Sequence, residues 1–151
     1  MSLREFARRA VRASRRGVVI GVCAGFAVAA SAADTFKVRL TPVPIEAANA
    51  ATTTGIGAAT ASLDGTRLTL TGNFTGLKGP ATVAHLHAGA MRGVRGPSFA
   101  DVTVPQTPSG DFRATLTLTP AQAEELRQGH VYLQIHSSSA PDGNLWGWLL
   151  P

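Results

Sequence analysis

The chain predicts an all-β fold: a Greek-key antiparallel β-sandwich or barrel of about seven to eight strands, with one short helix before the penultimate strand. Three observations point there. Short segments alternate apolar and polar residues with the period of two of a half-buried strand, as in Phe36-Lys37-Val38-Arg39-Leu40. Turn residues interrupt these segments about every 8 to 12 positions, the spacing of sandwiches and barrels. Only one stretch, Thr119 to Gly129, carries helix start and stop signals.

Taken in order, Phe36 to Leu40 is the first strand, and Thr41 to Thr54, with Pro42 and Pro44, an extended edge segment or loop. Ile56 to Leu63 is the second strand. Asp64-Gly65 is a tight hairpin turn into a third, Thr66 to Phe74, with Leu68, Leu70, Gly72 and Phe74 inward. After a Gly/Pro loop, Thr82 to His87 is the fourth strand, and Gly89 to Pro97 is a glycine-rich loop. Phe99 to Val104 and Asp111 to Leu118 follow as strands. The helix has Thr119 as cap, Pro120 at its first position, Gln122 completing a capping box and Gly129 as terminator. Val131 to His136 and Leu145 to Leu150 are the last strands, and Ser137 to Asn144 is expected to be the loop between them.

Residues 1–32 read as a secretion signal, with residues 33–151 as one domain. Arg4, Arg8, Arg9, Arg12, Arg15 and Arg16 form a basic start, Gly17 to Ala30 an apolar run, and Ala30-Ser31-Ala32 a cleavage site before Ala33. The run is shorter than the ~20 residues that span a bilayer, so no stable membrane insertion is expected after cleavage; an uncleaved anchor is the alternative. Arg15-Arg16 resembles the start of a twin-arginine signal, but Gly17-Val18-Val19 does not complete it, which favours the general secretory (Sec) route over Tat. The expected location is periplasmic or secreted.

The formal charge of +5 resides in that segment: six of the 14 basic and one of the nine acidic residues lie in 1–32, leaving eight of each in the domain. A neutral domain offers no electrostatic footprint for nucleic acid. The only cysteine, Cys23, is also in the signal, so neither a disulfide nor a thiolate metal site is available afterwards.

The chemistry-bearing segments are Ala84-His85-Leu86-His87-Ala88-Gly89 and Val131-Tyr132-Leu133-Gln134-Ile135-His136. On a strand, His85 and His87 share a face about 7 Å apart. The fourth histidine, His130, lies about 20 Å along the strand from His136 and is a poor partner for it.

These segments resemble the chordin-type domain, CHRD, whose central signature is an A-H-x-H strand followed by a glycine loop. The likeness extends from about Phe36 to Leu150. It includes Leu40-Thr41-Pro42-Val43-Pro44, Thr52-Thr53-Thr54-Gly55, Phe74-Thr75-Gly76-Leu77, Leu118-Thr119-Pro120, Leu126, Gly129, Tyr132, Ile135-His136 and Pro141-Asp142-Gly143. Where the family carries Glu-Ile-Arg before its last glycine, this chain has Asn144-Leu145-Trp146, so no role of that Glu or Arg carries over. The resemblance implies a secreted or envelope domain with no general catalytic activity. It leaves the partner, a protein or a glycan, unidentified. A looser, architectural likeness is to Cu,Zn superoxide dismutase, where an H-x-H strand and a later strand histidine gather around copper.

Two readings of the histidines follow. In one, His85, His87 and His136 hold copper or zinc, with Asp142, Asn144 or His130 completing the shell. In the other, they hydrogen-bond neighbouring loops as framework. The expected function is a non-enzymatic binding or structural module, with a metal carrier or redox protein as the alternative. No serine lies in a G-x-S-x-G elbow, and the second metal cluster and disulfide of superoxide dismutase are absent, so hydrolase and dismutase activity are not expected. Trp146 and Trp148 put two indoles on one sheet face, as core cover or as a ligand surface.

Overall fold

A computed structural model describes residues 32–151. The secretion signal read at 1–32 therefore lies, except for its last residue, outside the described residues. The strands are β1 (Asp34–Pro42), β2 (Ile56–Asp64), β3 (Arg67–Thr75), β4 (Ala81–Ala88), β5 (Ser98–Val102), β6 (Gly110–Thr117), β7 (Val131–Ser137) and β8 (Ala140–Trp148), and α1 (Pro120–Arg127) lies between β6 and β7. Among the described residues no helix is long and apolar enough to cross a membrane.

All pairings are antiparallel, in the order β5-β4-β7-β8-β1-β2-β3-β6. The sheet folds on itself as a nearly closed sandwich, and β1 makes the corner. Residues Asp34 to Leu40 pair with β2, while Thr41 and Pro42 pair with Trp146 and Leu145 of β8. The β3–β4, β5–β6 and β6–β7 connections cross from one half to the other, which makes the topology Greek-key.

Alternation fills the core. Phe36, Val38 and Leu40 of β1 point inward, and so do Leu68, Leu70 and Phe74 of β3, Leu86 of β4, Leu133 and Ile135 of β7 and Leu145 of β8. Gly72 also faces inward, under the Phe112 ring, where a side chain would collide. The helix begins as its sequence requires: Gln122 N–H donates to Thr119 Oγ1 (3.2 Å) and Thr119 N–H to Gln122 Oε1 (2.8 Å). Its apolar residues Ala123 and Leu126 join the core.

One segment departs from expectation. The loop expected over Ser137 to Asn144 is a tight hairpin at Ser138-Ser139, with β8 already begun at Ala140. Ser137 faces Ala140 and Ile135 faces Leu145, so Pro141 to Asn144 bulge out opposite His136 alone. The bulge accommodates Pro141, which has no N–H to give, and Gly143 at φ 136°. It is pinned from within. Ser137 Oγ donates to Asn144 Oδ1 (2.9 Å), Asn144 Nδ2 donates to the Thr54 carbonyl (2.6 Å), and Ser137 and Asn144 are both fully buried.

Asn144→Ala is expected to lower stability by about 1–3 kcal/mol, because it strands the buried Ser137 hydroxyl hydrogen and the half-buried Thr54 carbonyl. Urea unfolding at neutral pH measures this; a loss below about 0.5 kcal/mol would mean that these bonds do not hold the bulge.

Candidate metal centre

The even positions of β7 point away from the core, as do His85 and His87 of β4 and Trp146 and Trp148 of β8. This outer face is not bare. The 89–97 loop folds back over it, so closely that a side chain on Gly96 would strike the Ala88 carbonyl. Tyr132 donates its hydroxyl hydrogen to the Gly96 carbonyl (3.1 Å) and accepts from the Gly96 N–H (3.3 Å). Although it stands on the outer face, Tyr132 is only 1% exposed.

Beside it the structure brings His85, His87 and His136 together, each half-buried, with one ring nitrogen from each lying within 4.8 Å of the others. His85 stands opposite Gln134 on β7 and reaches diagonally to His136, their ring centroids 4.7 Å apart. His87 stands opposite Tyr132 and stacks on its ring at 4.6 Å and 10°.

The hydrogen bonds settle which nitrogens are available. His87 Nδ1 donates to the Gly96 carbonyl (3.0 Å) and His136 Nδ1 to the Pro141 carbonyl (2.7 Å). Carbonyls only accept, so both Nδ1 atoms carry hydrogen and each neutral ring keeps its lone pair on Nε2. His87 Nε2 is buried without a hydrogen-bond partner. His136 Nε2 lies 3.1 Å from His85 Nδ1, and His85 Nε2 lies 3.4 Å from Asp101 Oδ1. His85 thus faces two acceptors, and a neutral imidazole has one N–H for them. With that hydrogen on Nδ1, His85 donates to His136 Nε2; with it on the Asp101 side, His85 Nδ1, His87 Nε2 and His136 Nε2 all keep their lone pairs.

Burial pushes the pKa of His87 below its ordinary 6.5, and the Gly96 hydrogen bond only partly offsets this. Burial also lowers His136, against the raising effect of the Pro141 hydrogen bond. Both shifts favour the neutral ring, which is the form that ligates metal.

The other shell candidates lie elsewhere. Asp142 is exposed, and its carboxylate is outside the convergent group. Its backbone carbonyl accepts from Gln134 Nε2 (2.9 Å). Asn144 is committed to the bulge, and His130 Nδ1 pairs with Glu125 Oε2 at 2.8 Å. Neither Asp101 nor the Gly96 and Pro141 carbonyls stood out in the sequence. Asp101 falls opposite His85 only through the β4–β5 register, which shifts between Leu86 and His87.

The family model of the CHRD domain matches residues 36–149. No curated protein and no solved structure matches the chain.

Because the unfolded chain binds protons at His87 and His136 more readily than the folded one, folding stability should rise with pH. The contribution of the two rings is complete above about 6.5 and is lost as pH falls from there. Metal-free protein should therefore unfold at lower urea at pH 5.5 than at pH 7.5, with a smaller difference in His87→Phe. An equal or higher midpoint at pH 5.5 would contradict the assignment.

Proposed function

The chain belongs to the CHRD domain family, and from that premise we propose that it is an exported, non-enzymatic binding module whose ligand is a copper or zinc ion held by His85, His87 and His136. The observation that carries this reading is the orphaned His87 Nε2, buried on a residue that brings a ring nitrogen within 4.8 Å of one from His85 and one from His136. A framework role explains the outer bonds to Gly96 and Pro141. It does not explain why His87 Nε2 is buried with no donor facing it. Ligating histidines characteristically give their second N–H to a carbonyl or carboxylate, and here the acceptors are Gly96, Pro141 and Asp101.

Metal–nitrogen bonds of about 2.0–2.1 Å in a tetrahedral shell place the nitrogens roughly 3.3–3.4 Å apart, so ring nitrogens that now lie within 4.8 Å of one another would draw together by up to about an ångström on binding. Imidazole donors suit zinc and copper, and copper(II) is the tighter binder at a given nitrogen site. Three protein ligands leave a coordination position open. For export, the support is the Arg-rich start, the apolar run and the Ala30-Ser31-Ala32 site.

Protein recovered after export should begin at Ala33, which intact mass measures directly. A mass retaining residues 1–32 would indicate an anchored form. Purified without a metal-affinity tag, the protein should carry or take up close to one copper or zinc per chain. His87→Ala should weaken binding by at least about 100-fold, more than the typical effect of losing an outer hydrogen-bonding partner. Copper-loaded protein should not dismute superoxide above the rate of free copper. If no metal binds and the histidine variants are only less stable, the cluster is framework.

A further inference from the structure

Across β8 from the histidines runs a second feature, a shallow groove of about 330 Å³ over the β1–β8 seam. Its walls include Lys37 and Arg39 of β1, Arg92 of the 89–97 loop, and both indoles of β8. No carboxylate lines it, and none of the three cations is paired with an acid among the described residues. In a domain with equal numbers of acidic and basic residues, this is a local excess of positive charge beside two aromatic rings.

The register explains the juxtaposition. Thr41 stands opposite Trp146 and Lys37 opposite Leu150, which places Arg39 alongside Trp148. Lys37 and Arg39 share the outer face about 7 Å apart, both exposed. Between the indoles, Gly147 packs against the Arg39 carbonyl and the inward Val38 side chain, where a side chain of its own would collide, so β8 lies close against β1 beneath the groove. The rings are held from behind: Tyr132 contacts Trp148 at 4.8 Å and Trp146 at 5.7 Å. Arg95 lies 4.8 Å over the Trp146 ring and continues the row of cations.

We propose that this groove binds an anionic polysaccharide, a chain of sugar rings bearing carboxylate or sulfate groups. Indole surfaces offer an apolar, rigid bed for the C–H faces of a sugar ring, with little ordering cost. Guanidinium groups present paired N–H donors that match a carboxylate or sulfate. An acidic peptide fits less well. β8 pairs with β7 on one side and β1 on the other, so no strand edge is offered for main-chain pairing. The inference goes beyond the metal reading and does not rest on it.

The test uses the exported protein stripped with EDTA, which separates this proposal from the fate of the metal site. Binding is measured calorimetrically at low salt to polygalacturonate and to dextran sulfate. Neutral dextran, poly-glutamate and oligo-dT serve as comparisons. The expected result is binding to one or both acidic polysaccharides that weakens as salt rises and is reduced at least 10-fold in Arg39→Ala/Arg92→Ala. Trp148→Leu should also weaken it. The exposed Arg39 and Arg92 make the double variant safe for folding, which circular dichroism verifies. Arg113→Ala, on β6 in the other half of the sheet, should bind as the parent does. Failure to bind either polymer overturns the proposal. Equal binding to poly-glutamate or oligo-dT overturns it in favour of an acidic-peptide or nucleic-acid surface. Equal losses in the double variant and in Arg113→Ala overturn it as non-specific ion exchange.

Discussion

The antiparallel register between β4 and β7 is the constraint on which the rest of this molecule depends. Ala84 faces Ile135 and Leu86 faces Leu133, and these four close the core on one side of the sheet. The same pairing sends His85, His87, Tyr132 and His136 to the other side. A slip of one residue would exchange the two sets, placing imidazoles in the core and leucines under the 89–97 loop. The register is therefore fixed by apolar burial, and the polar cluster inherits its geometry from that burial. In this way a core made of ordinary aliphatic residues places three histidines on one face, and the Gly96 and Pro141 carbonyls then orient two of the rings.

Much of this was legible in the chain, because the relevant signals are local. The alternation in Phe36 to Leu40, the Asp64-Gly65 turn and the Thr119–Gln122 capping box each set their own element. The parity of His85 and His87 is a property of any strand. The Ser137 to Asn144 segment was misjudged because its serines, Pro141 and Gly143 carry local loop signals, while its shape is decided by Asn144 bonding to Thr54, 90 residues away. Asp101 was hidden by a register shift, and the Gly96 and Pro141 carbonyls have no side-chain signature to read. The cationic groove was illegible for a similar reason. Lys37 and Arg39 meet Trp146 and Trp148 only when the first and last strands pair.

The framework and metal readings of the histidines use different atoms, so one does not exclude the other. The outer nitrogens of His87 and His136 brace the 89–97 loop and the β8 bulge through carbonyls. The inner nitrogens are what bracing leaves over. A buried acceptor without a donor costs stability on the order of 1–3 kcal/mol, and a structure built only for bracing gains nothing from keeping one. A cation in the cluster would turn that cost into a bond and would tie loop, bulge and β4 to one point. The substitution of Asn144 and Trp146 for the family's Glu and Arg fits this division. Asn144 serves the bulge from the inside, and Trp146 faces the groove, with its cation supplied by Arg95 from the loop.

The 89–97 loop touches both proposed sites, which raises the question of coupling between them. Gly96 accepts from His87 Nδ1 and from the Tyr132 hydroxyl, and its N–H returns to that hydroxyl, while the neighbouring Arg95 lies on Trp146. Contact alone does not couple two sites; that requires an element with two arrangements that both ligands bias. Gly96 is held through its carbonyl and its N–H at once, and it lies so close to Ala88 that a side chain there would collide. Tyr132 is locked by the same bonds between His87 and the indoles. Loop, tyrosine and indoles thus form one continuous line of contacts between the two sites. The ion would use His87 Nε2, whereas the loop is held through His87 Nδ1, so metal binding breaks none of the bonds that position Arg95 and the indoles, and a polymer on the far side would keep its affinity.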